Sequence, residues 1–255
     1  MSELLSEIRS GVLHLTFNRP DSRNALTFAM YEGVKEACAS IPDDGAIRAV
    51  VIAGAGGRAF AAGTDMTQFR AFATPEDAWA YEARIDAVLT ALEACPVPTI
   101  AAITGACTGG GASIAACCDI RVSDERLKFG FPIARTLGNC LSAANLARLS
   151  ALLGPARVKE LIFTARLMGA EEARAAGLLA EIAEDPLARA AEIAATVAGH
   201  APLTLRATKE AMRRNAQAGP EVDDRDLIAL CYMSEDFREG MEAFLGKRQP
   251  DWKGR

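Results

Sequence analysis

The segment Pro98-Thr99-Ile100-Ala101-Ala102-Ile103-Thr104-Gly105-Ala106-Cys107-Thr108-Gly109-Gly110-Gly111-Ala112-Ser113-Ile114-Ala115 carries most of the fold information in this chain. It lies within a stretch from Cys95 to Cys118 that has no charge, and Gly105 and Gly109 form the GxxxG of a membrane helix. A spanning helix is still the wrong reading. Pro96, Pro98 and the glycine triplet would break it, and bulky apolar side chains are too few. The pattern predicts a buried strand over 97–103, a glycine-rich turn, and the start of a buried helix.

Upstream, Val12 to Phe17 reads as a strand, followed by a turn at Asn18-Arg19-Pro20-Asp21. A helix opens near Thr27, with Met30, Val34, Cys38 and Ile41 on one apolar face. Residues 47–53 read as a second buried strand and Gly54 to Gly57 as a loop. The polar stretch from Thr64 to Glu93 turns helical after Pro75. Downstream, 118–123 and 127–129 are short strands. Beyond Ser142 the chain reads as helices punctuated by Gly154-Pro155, Gly169, Gly177, Pro186, Pro202 and Pro220. Alternating strands and helices followed by helices alone predict an α/β core on a parallel sheet with a helical C-terminal section.

Composition narrows the function. The chain has 255 residues, a net charge of −5 and 6 % aromatics. Such a surface repels phosphate backbones and lacks base-stacking platforms, which argues against nucleic acid as a partner. Seven cysteines without a CxxC pair and only two histidines argue against both a zinc site and a disulfide framework. They read as buried thiols of a reducing cytosol. No signal-peptide pattern opens the sequence, so the expected location is cytoplasmic.

Three motifs offer chemistry. Gly54-Ala55-Gly56-Gly57-Arg58-Ala59 matches GxGxxA, but no helix pattern opens directly and the strand at 97–103 has no acidic residue to hold a ribose. Gly111-Ala112-Ser113-Ile114-Ala115 is close to a nucleophile elbow, with Asp124 or Asp185 and His200 as partners. Yet glycines, not a strand, precede the serine. The third is a pair of turns, Phe60-Ala61-Ala62-Gly63-Thr64-Asp65 and Gly105 to Gly111, each after a buried strand. Free amides at such turns, one opening a helix, suit a developing oxyanion.

Asn18-Arg19-Pro20 with Asn24-Ala25-Leu26 opens a longer series. Ala59 to Met66, Pro98 to Ile103 running into the glycine triplet, Cys118-Asp119-Ile120-Arg121 and Phe129-Gly130-Phe131-Pro132 follow in order. The tail adds Glu235-Asp236-Phe237, Glu239-Gly240, Ala243-Phe244-Leu245, Lys247-Arg248 and Pro250. In this joint order the chain resembles the enoyl-CoA hydratase/isomerase (crotonase) superfamily over nearly its whole length. The resemblance implies a crotonase-like spiral of ββα units over about residues 1–195. A C-terminal helical trimerisation region over 196–255 would complete one continuous domain, assembled as a homotrimer or a hexamer.

It also implies an acyl-CoA thioester substrate held by the amides of Thr64 and Gly110. CoA contacts would fall at Arg23, Ala25, Ala62, Asp65 and Met66, with Phe244 and Lys247 near the adenine of their own or a neighbouring subunit. No metal and no cofactor beyond coenzyme A is implied. Family hydratases carry two glutamates, at positions that here are Ser113 and Ile133. A serine is a poor base and isoleucine handles no protons. Hydration by the usual route is therefore not expected, and decarboxylation or another lyase or isomerase step becomes the alternative. A catalytically silent acyl-CoA-binding subunit and a serine hydrolase are the readings from other classes.

The loop after Pro132 also departs from the family, with its glycine displaced to Gly138. Arg135, as a carboxylate anchor, and Asn139, as an orienting amide, are the candidate replacements there. Cys140 lies in the same loop, and Thr136 and Ser142 are weaker candidates. Glu82 and Asp86 share a helix face by spacing, which on its own reads as a solvated face.

Overall fold

In the computed structural model, residues 2–42, 44–200, 202–217, 229 and 232–250 are described. The helix break at Pro220 and the thiol of Cys231 fall outside them. Two sheets form the core. The larger takes β1 (Leu4–Arg9), β2 (Val12–Phe17), β3 (Ala49–Gly54), β5 (Thr99–Ile103), β7 (Ile120–Ser123) and β9 (Glu181–Ile182), in that order. The smaller takes β4 (Ala59–Ala61), β6 (Ala106–Thr108) and β8 (Lys128–Gly130). Only β1–β2 is an antiparallel pair; every other pair of strands is parallel.

The connections produce a spiral. Each repeat places one strand in the large sheet, the next in the small sheet, and then a helix. Thus β3 and β4 lead into α2 (Pro75–Glu93), β5 and β6 into α3 (Gly110–Cys117), and β7 and β8 into α4 (Ile133–Thr136). This is the expected spiral of ββα units. The apolar runs of β3 and β5 have a direct cause: both faces of the large sheet are covered. One face meets the main core, including Val50, Ile52, Ala101 and Ile103. The other carries Val51, Ala53, Ile100 and Ala102 against Ala190 and Ala194 of α8 (Pro186–Ala198).

The remaining helices among the described residues are α1 (Phe28–Ala39), α5 (Ala143–Leu153), α6 (Pro155–Thr164), α7 (Ala170–Ala175), α9 (Pro202–Gln217) and α10 (Glu235–Leu245). Side chains set their ends. Thr27 Oγ1 accepts from Met30 N at 3.3 Å, Ser142 Oγ from Asn145 N at 3.1 Å, and Ser234 Oγ from Phe237 N at 2.9 Å. The motif around Arg121 is structural. Its guanidinium donates to the carbonyls of Ala115 and Ala116 at 3.3 Å, closing the C-terminus of α3, and to Leu178 O at 2.6 Å.

Four strands escaped the sequence reading. β1 is an edge strand with almost every residue exposed, so it shows no apolar alternation. β4 and β6 have three residues each, most of them small, and β9 has two. The loop over 54–57 is a 3-10 turn that leads straight into β4, so no helix N-terminus stands there to take a pyrophosphate. Among the described residues no helix is long and apolar enough to cross a membrane.

Candidate active site

The two small-residue turns expected to cooperate leave neighbouring strands of the small sheet. β4 pairs with β6 through Ala59–Ala106 and Ala61–Cys107, and the turns at 62–65 and 109–111 leave their ends side by side. A Cβ on Gly109 would lie 3.4 Å from the Cα of Gly63. Gly109 adopts φ +52°, ψ −122°, a backbone state that glycine reaches without steric cost.

Each turn presents an amide with no backbone acceptor among the described residues. Leu26 forms a parallel bridge with Thr64, in which Leu26 N donates to Gly63 O and Asp65 N to Leu26 O, both at 2.8 Å. The N–H of Thr64 therefore points to the opposite side of its strand. Gly109 N is taken by Gly130 O at 3.0 Å, whereas Gly110 opens α3 and its N–H lies in the first turn, beyond the helix ladder. Two such amides on adjacent turns, one of them at the positive end of a helix, are donors of the kind that suits a developing negative charge.

Three hydroxyls back this site. Tyr31 Oη of α1 and Tyr81 Oη of α2 lie 2.8 and 3.0 Å from Thr64 Oγ1. Tyr31 Oη also packs on Gly110, where a Cβ would come within 1.8 Å of it. Burial keeps both phenols protonated, with pKa values pushed well up. Around Tyr81 the rings of Phe28, Phe69, Phe72 and Tyr232 have centroids 4.8–5.9 Å away. Tyr81 thus sits in a cluster of aromatic rings.

The two positions at which the resemblance places glutamates hold Ser113 and Ile133, neither of which carries a carboxylate. Ser113 is 2 % exposed; its hydroxyl accepts from Asn145 Nδ2 at 2.9 Å and donates weakly to Gly109 O at 3.4 Å. Ile133 opens α4. The hydrolase reading fails here, because no imidazole reaches Ser113. Asp124 accepts from Gly105 N and pairs with Arg126, Asp185 caps α8, and His200 is exposed.

Helix α2 is not the solvated face expected at Glu82 and Asp86. Glu82 is 5 % exposed and its carboxylate accepts the hydroxyl proton of Tyr232. Tyr232 in turn accepts from Asn139 Nδ2 at 3.2 Å. Asp86 Oδ1 accepts from Ser142 Oγ and Arg148 Nη1, both at 3.0 Å, and Arg148 reaches Glu93 at 2.9 Å. The loop after α4 is therefore tied to α2 at both ends. Within this region Asn139 Oδ1 and Asn145 Oδ1 are buried without a hydrogen-bond partner. Arg135, in contrast, is exposed and makes no side-chain hydrogen bond or ion pair among the described residues.

The residues of the expected CoA rim are contiguous on one side. Ala62 N donates to Arg23 O at 3.0 Å, and Ala25 O accepts from Arg19 Nη1 at 2.7 Å. Asp65 binds Thr67 Oγ1 at 2.7 Å and Arg19 Nη2 at 2.8 Å. Burial raises its pKa, but these partners outweigh that effect and hold it below the usual carboxylate range. Met66 begins a short 3-10 turn ending at Phe69, and α10 packs on this turn and on α4. Phe244 and Lys247 stand exposed at the end of α10.

Sequence reasoning missed Tyr31, Tyr81, Tyr232 and Asn145. Tyr31 carried a usable signal, since Tyr31, Val34 and Cys38 are all buried and repeat with helical spacing.

Comparison with known proteins agrees with this geometry. Residues 7–255 match the profile of the enoyl-CoA hydratase/isomerase family. The chain is 34 % identical to 2,3-dehydroadipyl-CoA hydratase of Escherichia coli, with 100 % of both chains covered. It is 32 % identical to crotonyl-CoA hydratase of Syntrophomonas wolfei, covering 98 % of this chain and 96 % of that one. A methylmalonyl-CoA decarboxylase solved in complex with 2-nitronate-propionyl-CoA superposes with a TM-score of 0.88 at 25 % identity, covering 100 % of this chain and 99 % of that one. An enoyl-CoA hydratase/carnithine racemase from Magnetospirillum magneticum gives 0.79 at 36 %, covering 100 % and 97 %. The paired turns, the ββα spiral and a match that spans the chain make this protein a member of the enoyl-CoA hydratase/isomerase family.

Proposed function

We propose that this acyl-CoA enzyme polarises a thioester carbonyl, and stabilises the enolate derived from it, with the amides of Thr64 and Gly110. The observation that carries the reading is the pair of free N–H groups on turns leaving adjacent strands. Donors fixed before the charge develops cost no reorganisation during reaction. The substrate's CoA would run along Arg23, Ala25, Ala62, Asp65 and Met66, with Phe244 and Lys247 near its adenine. The assembly would be a cytoplasmic homotrimer or dimer of trimers, which light scattering during size exclusion would test.

Ser113 and Ile133 steer the reaction away from two-glutamate hydration. Decarboxylation of a malonyl-type thioester asks less of the protein, because loss of carbon dioxide itself generates the enolate. The fit to a methylmalonyl-CoA decarboxylase supports this second reading. Arg135 would then anchor the substrate carboxylate and Asn139 would orient the acyl group.

Proton NMR of crotonyl-CoA with the protein in deuterium oxide separates the two. The proposal expects little 3-hydroxybutyryl-CoA from crotonyl-CoA, and decarboxylated product from a malonyl-type panel. Efficient hydration would overturn the decarboxylase reading. Binding without turnover of any thioester would leave a silent acyl-CoA-binding subunit. The anchor role fails if Arg135→Ala leaves turnover of every accepted substrate unchanged.

A further inference from the structure

Tyr31, Thr64 and Tyr81 form a chain of three hydroxyls joined by two hydrogen bonds. Three hydroxyl protons serve two bonds, so one O–H has no acceptor among the described residues. Where that proton sits follows from burial. Tyr31 is 0 % exposed, and an unpaired donor is most costly where no solvent can reach it. Tyr31 therefore donates to Thr64 Oγ1. A chain in which each hydroxyl accepts once and donates once is strengthened by mutual polarisation, so Thr64 donates onward to Tyr81. The surplus proton then belongs to Tyr81, which is only half-buried. The rings of Phe28, Phe69 and Phe72 packed about Tyr81 offer no oxygen to receive it, and the Tyr232 oxygen, which donates to Glu82 and accepts from Asn139 Nδ2, meets Tyr81 through its ring and not through a hydrogen bond.

We propose that the Tyr81 hydroxyl is a third, side-chain donor of the oxyanion site, directed at the thioester oxygen beside the Thr64 amide. This rests on the reading of the Thr64 and Gly110 amides as the oxyanion site and extends it. The placement is short-range: Tyr81 Oη is 3.0 Å from Thr64 Oγ1, one side chain away from the Thr64 N–H. The phenol stays protonated because burial, with Tyr31 and Glu82 nearby, disfavours its anion, so it keeps a proton to donate while its oxygen accepts from Thr64. Helices α1 and α2 pack together, and each brings one phenol within hydrogen-bond distance of Thr64 Oγ1. The site thus gains a donor that a small residue without a hydroxyl at position 64 could not hold in place.

The test is isotope-edited infrared spectroscopy of [1-13C]butyryl-CoA bound to wild type, Tyr81→Phe and Tyr31→Phe, with affinities for butyryl-CoA and free coenzyme A measured on the same samples. In wild type the carbonyl stretch should fall below its value in water. Tyr81→Phe should return part of that shift and weaken butyryl-CoA binding about two- to tenfold relative to coenzyme A, the range of one neutral hydrogen bond. Tyr31→Phe, which leaves the Thr64–Tyr81 pair in place, should move both readouts less. An unchanged stretch and affinity ratio in Tyr81→Phe overturn the third donor, with the surplus proton serving water only. No lowered stretch in wild type overturns the two-amide site itself, and the third donor with it. Free coenzyme A affinity serves as the folding control, since a damaged fold would lower both affinities together.

Discussion

Gly110 and Ser113 stand three residues apart on α3, yet they bear different kinds of information. At Gly110 the useful group is a backbone amide, and the side chain matters only by being absent. At Ser113 the useful group would have to be a side chain, and the one present has its hydrogen bonds committed to Asn145 and Gly109. The same contrast separates Thr64 from Ile133. Backbone chemistry survives sequence change provided that the turn keeps its shape. Side-chain chemistry is lost with one substitution. On the proposed reading, this family member keeps the device that stabilises charge and not the one that moves protons.

The largest expected effect breaks the backbone half. Gly110→Ala would drive a Cβ to 1.8 Å from Tyr31 Oη, so the turn or the phenol must move. Turnover of the best thioester should fall by about 10²-fold, the scale of losing one oxyanion donor. The melting temperature should fall as well and recover in part in Gly110→Ala/Tyr31→Phe, where the colliding oxygen is gone but the ring carbon stays 3.0 Å from the new Cβ. A single variant as stable and active as wild type would contradict the geometry.

The next tests probe the side-chain half. Ser113→Ala leaves Asn145 Nδ2 without its partner and should cost about 1–3 kcal/mol in urea unfolding. It should change turnover of a malonyl-type thioester by less than about threefold, since no proton passes through Ser113; a general acid or base would be worth about 10²-fold or more. Glu82→Ala removes the acceptor of the buried Tyr232 hydroxyl and should likewise destabilise by about 1–3 kcal/mol. Glu82→Gln, which keeps an oxygen there, should cost less.

The smallest effect concerns the rim. The folded-state pKa of Asp65 lies below the unfolded value of about 3.9. Its contribution is therefore fully present above that value and is lost as pH falls through the folded one. Between about pH 5 and pH 2, Asp65→Asn should lose less stability than wild type in chemical denaturation. Identical pH profiles would show that the Arg19 and Thr67 contacts do not favour the charged form.

How much of this was legible follows the same division. β3 and β5 were readable because their residues are buried on both faces and nearly all apolar. β4 and β6 were not, because three small residues give no period, although the turns that follow them were found by their glycines. The loss of the two glutamates was legible at Ser113 and Ile133, by position against the family pattern. What replaced them was not. Tyr31 and Tyr81 reach Thr64 across 33 and 17 residues, and Asn145 reaches Ser113 across 32. Contacts at such separations leave no local spacing to read. Glu82 was misread for a related reason: helical spacing shows that it shares a face with Asp86, but not that Tyr232 and the loop after α4 cover that face.

The central claim is that the Thr64 and Gly110 amides prefer an enolate to its parent thioester. Calorimetric titration with the 2-nitronate of propionyl-CoA, an enolate mimic, and with propionyl-CoA tests it most directly. The account predicts that wild type binds the nitronate at least about 10²-fold more tightly, as expected for a mimic of the reacting state, and that Gly110→Ala erases most of that difference. Equal affinities of wild type for the two ligands would contradict it.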